Sequence, residues 1–184
     1  MAIKILDNCC SPLYLDYLKN IASTADNWNL KYPRGKEVSF EMKFPKIDII
    51  ANGIQHPFLA GLASGLLIQI YEVGGRGLFV PDIAWCGFSI KDKHLPPRMH
   101  TDHEKSEGTI KVMGILNRDW KEEWGGGFTH GGMNYYIKPT SFCIFDSTEL
   151  HDHTEIFTDK KRFAIDFTVF RDKQSLEKVK KLRK

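Results

Sequence analysis

Between Leu78 and Phe170 the chain breaks into short apolar runs, each bounded by Gly, Pro, Asn or Asp. The runs are Leu78 to Ile90, Thr109 to Leu116, Phe128 to His130, Asn134 to Ile137, Phe142 to Phe145 and Phe163 to Phe170. β-Branched and aromatic side chains dominate them, as strands require. The last run alternates, with Phe163, Ile165, Phe167 and Val169 on one side and Ala164, Asp166 and Thr168 on the other. Short strands at this spacing predict a β-sandwich or barrel.

The region before them reads differently. Residues 3–6 suit a short strand, and Ser11-Pro12 opens a helix whose apolar side carries Leu13, Leu15, Leu18 and Ile21. Residues 26–56 are punctuated by Pro33, Gly35, Pro45 and Gly53 and read as loop with short extended pieces. From Pro57 to about Tyr71, Phe58, Leu59, Leu62, Leu66 and Ile70 recur at helical spacing, and Gly74, Gly75 and Gly77 end the segment. A helix this apolar needs a large surface to cover, such as the back of a sheet. The expectation is a mainly β chain with supporting helices, a jelly-roll or barrel backed by N-terminal helices. All 184 residues form one domain: 1–75 mostly helical support, 76–171 the β core, 172–184 a basic helix or tail.

Composition narrows the partners. The formal charge of +3 is too small to argue for nucleic acid, and Lys178, Lys180, Lys181, Arg183 and Lys184 read as a solvated tail. No run approaches the ~18 apolar residues of a membrane span, so no membrane partner is expected. The N-terminus lacks a signal peptide's apolar core. Cys9, Cys10, Cys86 and Cys143 have neither metal-finger nor disulfide spacing. A cytoplasmic protein is the expectation, with no oligomeric state readable.

Six of the seven histidines lie between positions 94 and 153, grouped as His100-Thr-Asp102-His103, His130 and His151-Asp-His153. On an extended chain, His100 and Asp102 project to the same side. A further histidine from a neighbouring strand would complete a two-histidine, one-carboxylate face that leaves coordination positions open. Downstream, Arg162 begins the alternating strand. If its guanidinium turns inward, it needs a buried anion, and its planar fork suits a carboxylate.

At these residues the chain resembles the 2-oxoglutarate/iron(II) dioxygenases, the prolyl 4-hydroxylase-like branch in particular. The matching segments, in order, are His100-Thr-Asp102, Ile115-Leu-Asn-Arg-Asp-Trp120, Gly125-Gly126-Gly127, Pro139, Phe145-Asp-Ser147 through His151, and Arg162. The resemblance implies a double-stranded β-helix and makes His100, Asp102 and His151 the catalytic metal ligands, with His153 as the alternative third ligand. It implies Fe(II), 2-oxoglutarate and O2 as cofactors, ascorbate as a candidate reductant, and release of succinate and CO2. It gives Arg162 to the distal carboxylate of 2-oxoglutarate, and a prolyl residue of a peptide or protein becomes the first candidate substrate. Two positions depart from the pattern: Ile115 stands where Tyr is usual, and Ala164 where Ser or Thr is usual. Thr168, Tyr135 or Tyr136 are the candidates to replace those lost hydroxyls. Trp120, Trp124, Tyr135 and Tyr136 suit either an aromatic rim for an extended peptide or plain packing. Three other readings stay open: a cupin-like metal enzyme without an oxo acid, a non-catalytic β-sandwich binding module and, against the modest charge, a DNA- or RNA-repair oxygenase of the same superfamily.

Overall fold

A computed structural model of the chain describes residues 2–25, 29–31, 44–102 and 108–182. His103, the breakers Pro33 and Gly35, and the tail residues Arg183 and Lys184 lie outside that set. In chain order the elements are β1 (Lys4–Leu6), α1 (Pro12–Thr24), β2 (Asn29–Lys31), β3 (Phe44–Ala51), α2 (Pro57–Ile70) and β4 (Val80–Lys91). β5 (Thr109–Ile115), β6 (Phe128–His130), β7 (Met133–Tyr135), β8 (Phe142–Phe145), β9 (His151–His153), β10 (Arg162–Phe170) and α3 (Lys173–Leu182) follow.

Strand β10 organises the molecule. It pairs antiparallel with β4 on one side and β5 on the other, at the centre of a seven-stranded sheet ordered β1-β8-β5-β10-β4-β3-β2. Its alternation separates two environments. Phe163, Ile165, Phe167 and Val169 join Val112, Phe88 and Ile144 of the neighbouring strands in one core, which α1 and α2 cover with Leu15, Leu18, Leu66, Leu67 and Ile70. Phe167 and Ile165 are wholly buried there. The opposite, inner face carries Met113 and Ile115 from β5 and Cys143 and Phe145 from β8. Against it lies a second sheet, ordered β7-β6-β9, which contributes Phe128 to the same inner core. Two antiparallel sheets with a filled interior are the predicted jelly-roll, a double-stranded β-helix. Polar side chains also occupy the inner face: Ser89, Lys111, Arg162 and Thr168 are all buried.

Three expectations need revision. Residues 44–51, read as loop, form the eight-residue strand β3, paired with β4 through Ile47↔Phe88 and Asp48↔Gly87. The breakers Pro45 and Gly53 obscured its alternation, in which Ile47 and Ile49 are buried while Asp48 accepts a hydrogen bond from Trp85 Nε1 at 3.1 Å. The N-terminal region is thus helical support that also supplies three strands of the large sheet. Second, α2 continues through a π-helical turn (Tyr71–Gly75) to make a 19-residue helix, Pro57–Gly75, long and apolar enough by composition to cross a membrane. Counting unbroken apolar residues missed it because Gly, Ser and Gln interrupt the run. In the fold, Ala60, Ala63, Leu66, Leu67 and Ile70 are buried on the back of the sheet. Third, α1 buries Leu15, Leu18 and Ala22, but Leu13 is exposed.

Candidate metal centre

The site is built where the chain leading out of β4 meets β9. His100 and His151 form an isolated antiparallel bridge, with His100 N–H donating to His151 O at 3.1 Å and His151 N–H to His100 O at 3.0 Å. Asp102 N–H then donates to Ser147 O at 2.9 Å. These bonds fix both backbones. The ring orientations are fixed as well: His100 Nδ1 lies 2.9 Å from Arg98 O, and His151 Nδ1 lies 2.8 Å from Glu149 O. A carbonyl only accepts, so each Nδ1 carries a hydrogen and Nε2 is the nitrogen left to address a metal. Both Nε2 atoms face the Asp102 carboxylate, His100 at 3.5 Å from Oδ1 and His151 at 3.5 Å from Oδ2. Ligand atoms of the three residues lie within 4.8 Å of one another, close enough to converge on one ion. Phe145, 4.9 Å from the His151 ring, and Phe128, 5.9 Å from it, form an apolar wall behind it.

Burial alone would raise the Asp102 carboxyl. The Lys111 ammonium and the two imidazoles outweigh it and hold the group ionised, well below the usual carboxylate range. Two imidazoles and one carboxylate that converge in this way suit iron(II) by donor type.

His153 is not part of this cluster. Its Nδ1 lies 2.8 Å from Lys91 Nζ and 2.7 Å from Asp152 Oδ1, and its Nε2 lies 3.2 Å from Leu95 O. Burial and the nearby Lys91 charge push its pKa down, so the ring stays neutral. The alternative third ligand is therefore set aside on geometry: both of its nitrogens are engaged elsewhere. His130 also stays apart, with Nε2 3.2 Å from Asp146 O.

Arg162 turns inward, which meets the condition the sequence left open. It is 2% exposed, its Nη2 meets only the Met113 sulfur at 3.9 Å, and its Nε has no partner among the described residues. Desolvation pushes the guanidinium below its ordinary pKa, yet it remains a buried cation. Asn117 clamps the backbone on both sides of it. The amide Nδ2 donates to Lys161 O at 2.9 Å, and Oδ1 accepts from Phe163 N–H at 2.7 Å. Gly126 leaves room for the arginine stem, since a Cβ there would stand 3.0 Å from Arg162 Cδ. Gly125, at φ +68°, closes against Glu155 O, which a Cβ would approach to 2.0 Å. The glycine run is thus a tight turn.

The register shows how the cluster and Arg162 share one interior. Lys111 stands opposite Thr168 on one side and Phe145 on the other, Met113 opposite Asp166 and Cys143, Ile115 opposite Ala164, and Lys91 opposite Arg162. Arg162 reaches back to Met113, one inner-face position from Lys111, or roughly 7 Å along the strand. Lys111 in turn lies 3.1 Å from Asp102 Oδ2, so the inner face of β5 carries contacts to both Arg162 and the donor cluster.

The candidate substitutes for the missing hydroxyls lie away from Arg162 or are engaged elsewhere. Thr168 lies six residues from Arg162 on the same strand, about 20 Å away, too far to share its carboxylate. Tyr136 donates instead to Trp120 O at 2.9 Å, and Tyr135 lies 3.8 Å from the Met133 sulfur. Ile115 and Ala164, each 1% exposed, make that wall apolar. Trp120 is buried with its Nε1 donating to Gly125 O, so it packs the inner core and forms no rim. Trp124 is only partly buried, and Lys160 caps its ring at 4.3 Å. Sequence reasoning missed Lys111, Lys91, Asn117 and Asp152. The available signal was a lysine in phase with the inner face of an apolar strand.

No protein-family model matches the chain, and no curated protein matches its sequence. Solved structures do match in fold. A prolyl-4-hydroxylase of Pseudomonas putida has a TM-score of 0.59 at 17% identity, covering 92% of each chain. A prolyl hydroxylase of Trichoplax adhaerens, solved with a hypoxia inducible factor peptide fragment, has 0.62 at 14%, covering 95% of this chain and 86% of that one. HygX of Streptomyces hygroscopicus, solved with nickel and 2-oxoglutarate bound, has 0.66 at 9%, covering 90% and 81%. The double-stranded β-helix built here is therefore the fold of the 2-oxoglutarate-dependent non-haem oxygenases, prolyl hydroxylases among them.

Proposed function

We propose that the chain is an Fe(II)- and 2-oxoglutarate-dependent dioxygenase that hydroxylates an unactivated C–H bond, with a prolyl residue of a peptide or protein as the first candidate substrate. One observation carries the reading: a His100–Asp102–His151 donor cluster and a buried Arg162 guanidinium, whose Nε has no hydrogen-bond partner among the described residues, share one interior. The cluster would hold iron, and Arg162 would take the distal carboxylate of the oxo acid. Iron with the oxo acid and O2 supplies C–H hydroxylation with release of succinate and CO2, and ascorbate is the candidate reductant. The protein's own residues do the rest. Backbone acceptors keep both imidazoles in the ligating tautomer, Asn117 sets the Arg162 backbone, and Phe128 and Phe145 exclude water behind His151. The peptide substrate is supported by the Trichoplax neighbour's bound peptide and by the prolyl-hydroxylase motifs.

The test is succinate release from 2-oxoglutarate with Fe(II), run alone and with proline-containing peptides. Turnover without peptide that rises when one is added supports the proposal. Metal binding with no succinate under any condition would favour the cupin-like alternative. No metal binding at all would favour the non-catalytic module.

A further inference from the structure

Lys111 is the charged inner-face residue for which the oxygenase reading has no role. It sits mid-strand in β5, 6% exposed, between Ile110 and Val112, which are wholly buried on the other face. Its Nζ lies 3.1 Å from Asp102 Oδ2 and 4.6 Å from the centroid of the Trp85 ring. The same Oδ2 is the oxygen that faces His151 Nε2 at 3.5 Å. An ammonium therefore already occupies the carboxylate oxygen that one of the other ligands addresses.

Two consequences follow from charge alone. A dication entering the cluster meets Lys111 as a competitor for Asp102 and as a like charge at close range. Once the ion has taken Asp102, Lys111 is a buried cation whose counter-ion is shared, a state that favours arrival of another anion. An oxo acid bringing a carboxylate to the ion would supply one.

We propose that Lys111 is an internal counter-ion that competes with the metal for Asp102 and then serves the metal-side carboxylate of the incoming oxo acid, so that metal retention is coupled to co-substrate binding. This rests on the oxygenase reading above. Coupling of this kind is reciprocal and can be measured without turnover.

The experiment is calorimetric titration of the folded protein with Ni(II), with and without 2-oxoglutarate, for wild type, Lys111→Met and Lys111→Gln. Far-UV circular dichroism confirms folding, and the glutamine variant carries the test if the methionine variant does not fold. In wild type, 2-oxoglutarate tightens Ni(II) binding about tenfold. Without the oxo acid, both variants bind Ni(II) several-fold more tightly than wild type, and the tightening by 2-oxoglutarate falls several-fold, to the part that direct ligation of the ion supplies. Lys111→Arg, which keeps the charge, retains the coupling. Variants that bind Ni(II) equally or more weakly, or that keep the full enhancement, overturn the role of Lys111 and leave the metal centre standing. A wild type that takes no Ni(II) in either condition sinks the metal centre and this proposal together.

Discussion

Arg162 concentrates the tension between stability and use at the residue scale. A buried cation without a hydrogen-bonded anion is unfavourable, and exchanging it for a packed apolar side chain is commonly neutral or stabilising. Arg162→Leu should therefore leave the melting temperature of the oxo-acid-free protein unchanged or higher, while 2-oxoglutarate-dependent succinate release disappears. A large loss of stability would mean that the guanidinium has a structural partner after all. Asn117 makes the converse case. Asn117→Ala removes the side-chain acceptor of the buried Phe163 N–H and should cost about 1–3 kcal/mol in urea unfolding, with oxo-acid affinity weakened in step. Asp146 supplies the pH dependence. Burial opposes its ionisation, but hydrogen bonds from Thr148 and Arg171 win and bring its pKa down to about 2. The folded value lies below the unfolded one, so the stabilisation is complete above about pH 4 and is lost as pH falls towards 2. Its size is on the order of 1 kcal/mol once solvent screening at the half-exposed Arg171 is allowed for. Melting temperatures across that window should fall more steeply for wild type than for Asp146→Asn.

At the scale of elements, β9 does two jobs with three residues. His151 faces the metal cluster, while Asp152 and His153 tie down the segment that leads to His100. Asp152 accepts from Arg98 N–H and from Lys91 Nζ, and His153 reaches Leu95 O. Asp152→Ala would leave Lys91 largely buried without its carboxylate, at a cost of about 3 kcal/mol, and would loosen the approach to His100. Calorimetry with Ni(II) should show weakened binding even under conditions where circular dichroism reports a folded protein. The strands themselves were legible because period-2 alternation survives in β10 and β5. β3 was not, because Pro45 and the neighbouring glycine masked Ile47 and Ile49. The adjacent motif residues were legible in type but not in partner: His151 and His153 share one side of a strand, and only the facing segments separate their roles.

For the whole molecule, the two cores divide the labour. The core between the sheet and its helices holds the fold: Phe167, wholly buried at its centre, should cost about 3–5 kcal/mol on replacement by Ala, read as a shift in the urea midpoint. The core between the two sheets holds the donors. The amino-acid sequence on its own determined the jelly-roll class and singled out His100, Asp102 and Arg162 as a candidate donor pair and a candidate carboxylate anchor. Alternation, i/i+2 geometry and the need of a buried cation for an anion are local rules that a chain carries with it. The separation of His153 from the donor cluster, the clamp by Asn117 and the placement of Lys111 on Asp102 were decided by tertiary structure alone. Each depends on which strands become neighbours and in which register, and a shift of one residue would turn every one of those side chains to the opposite face.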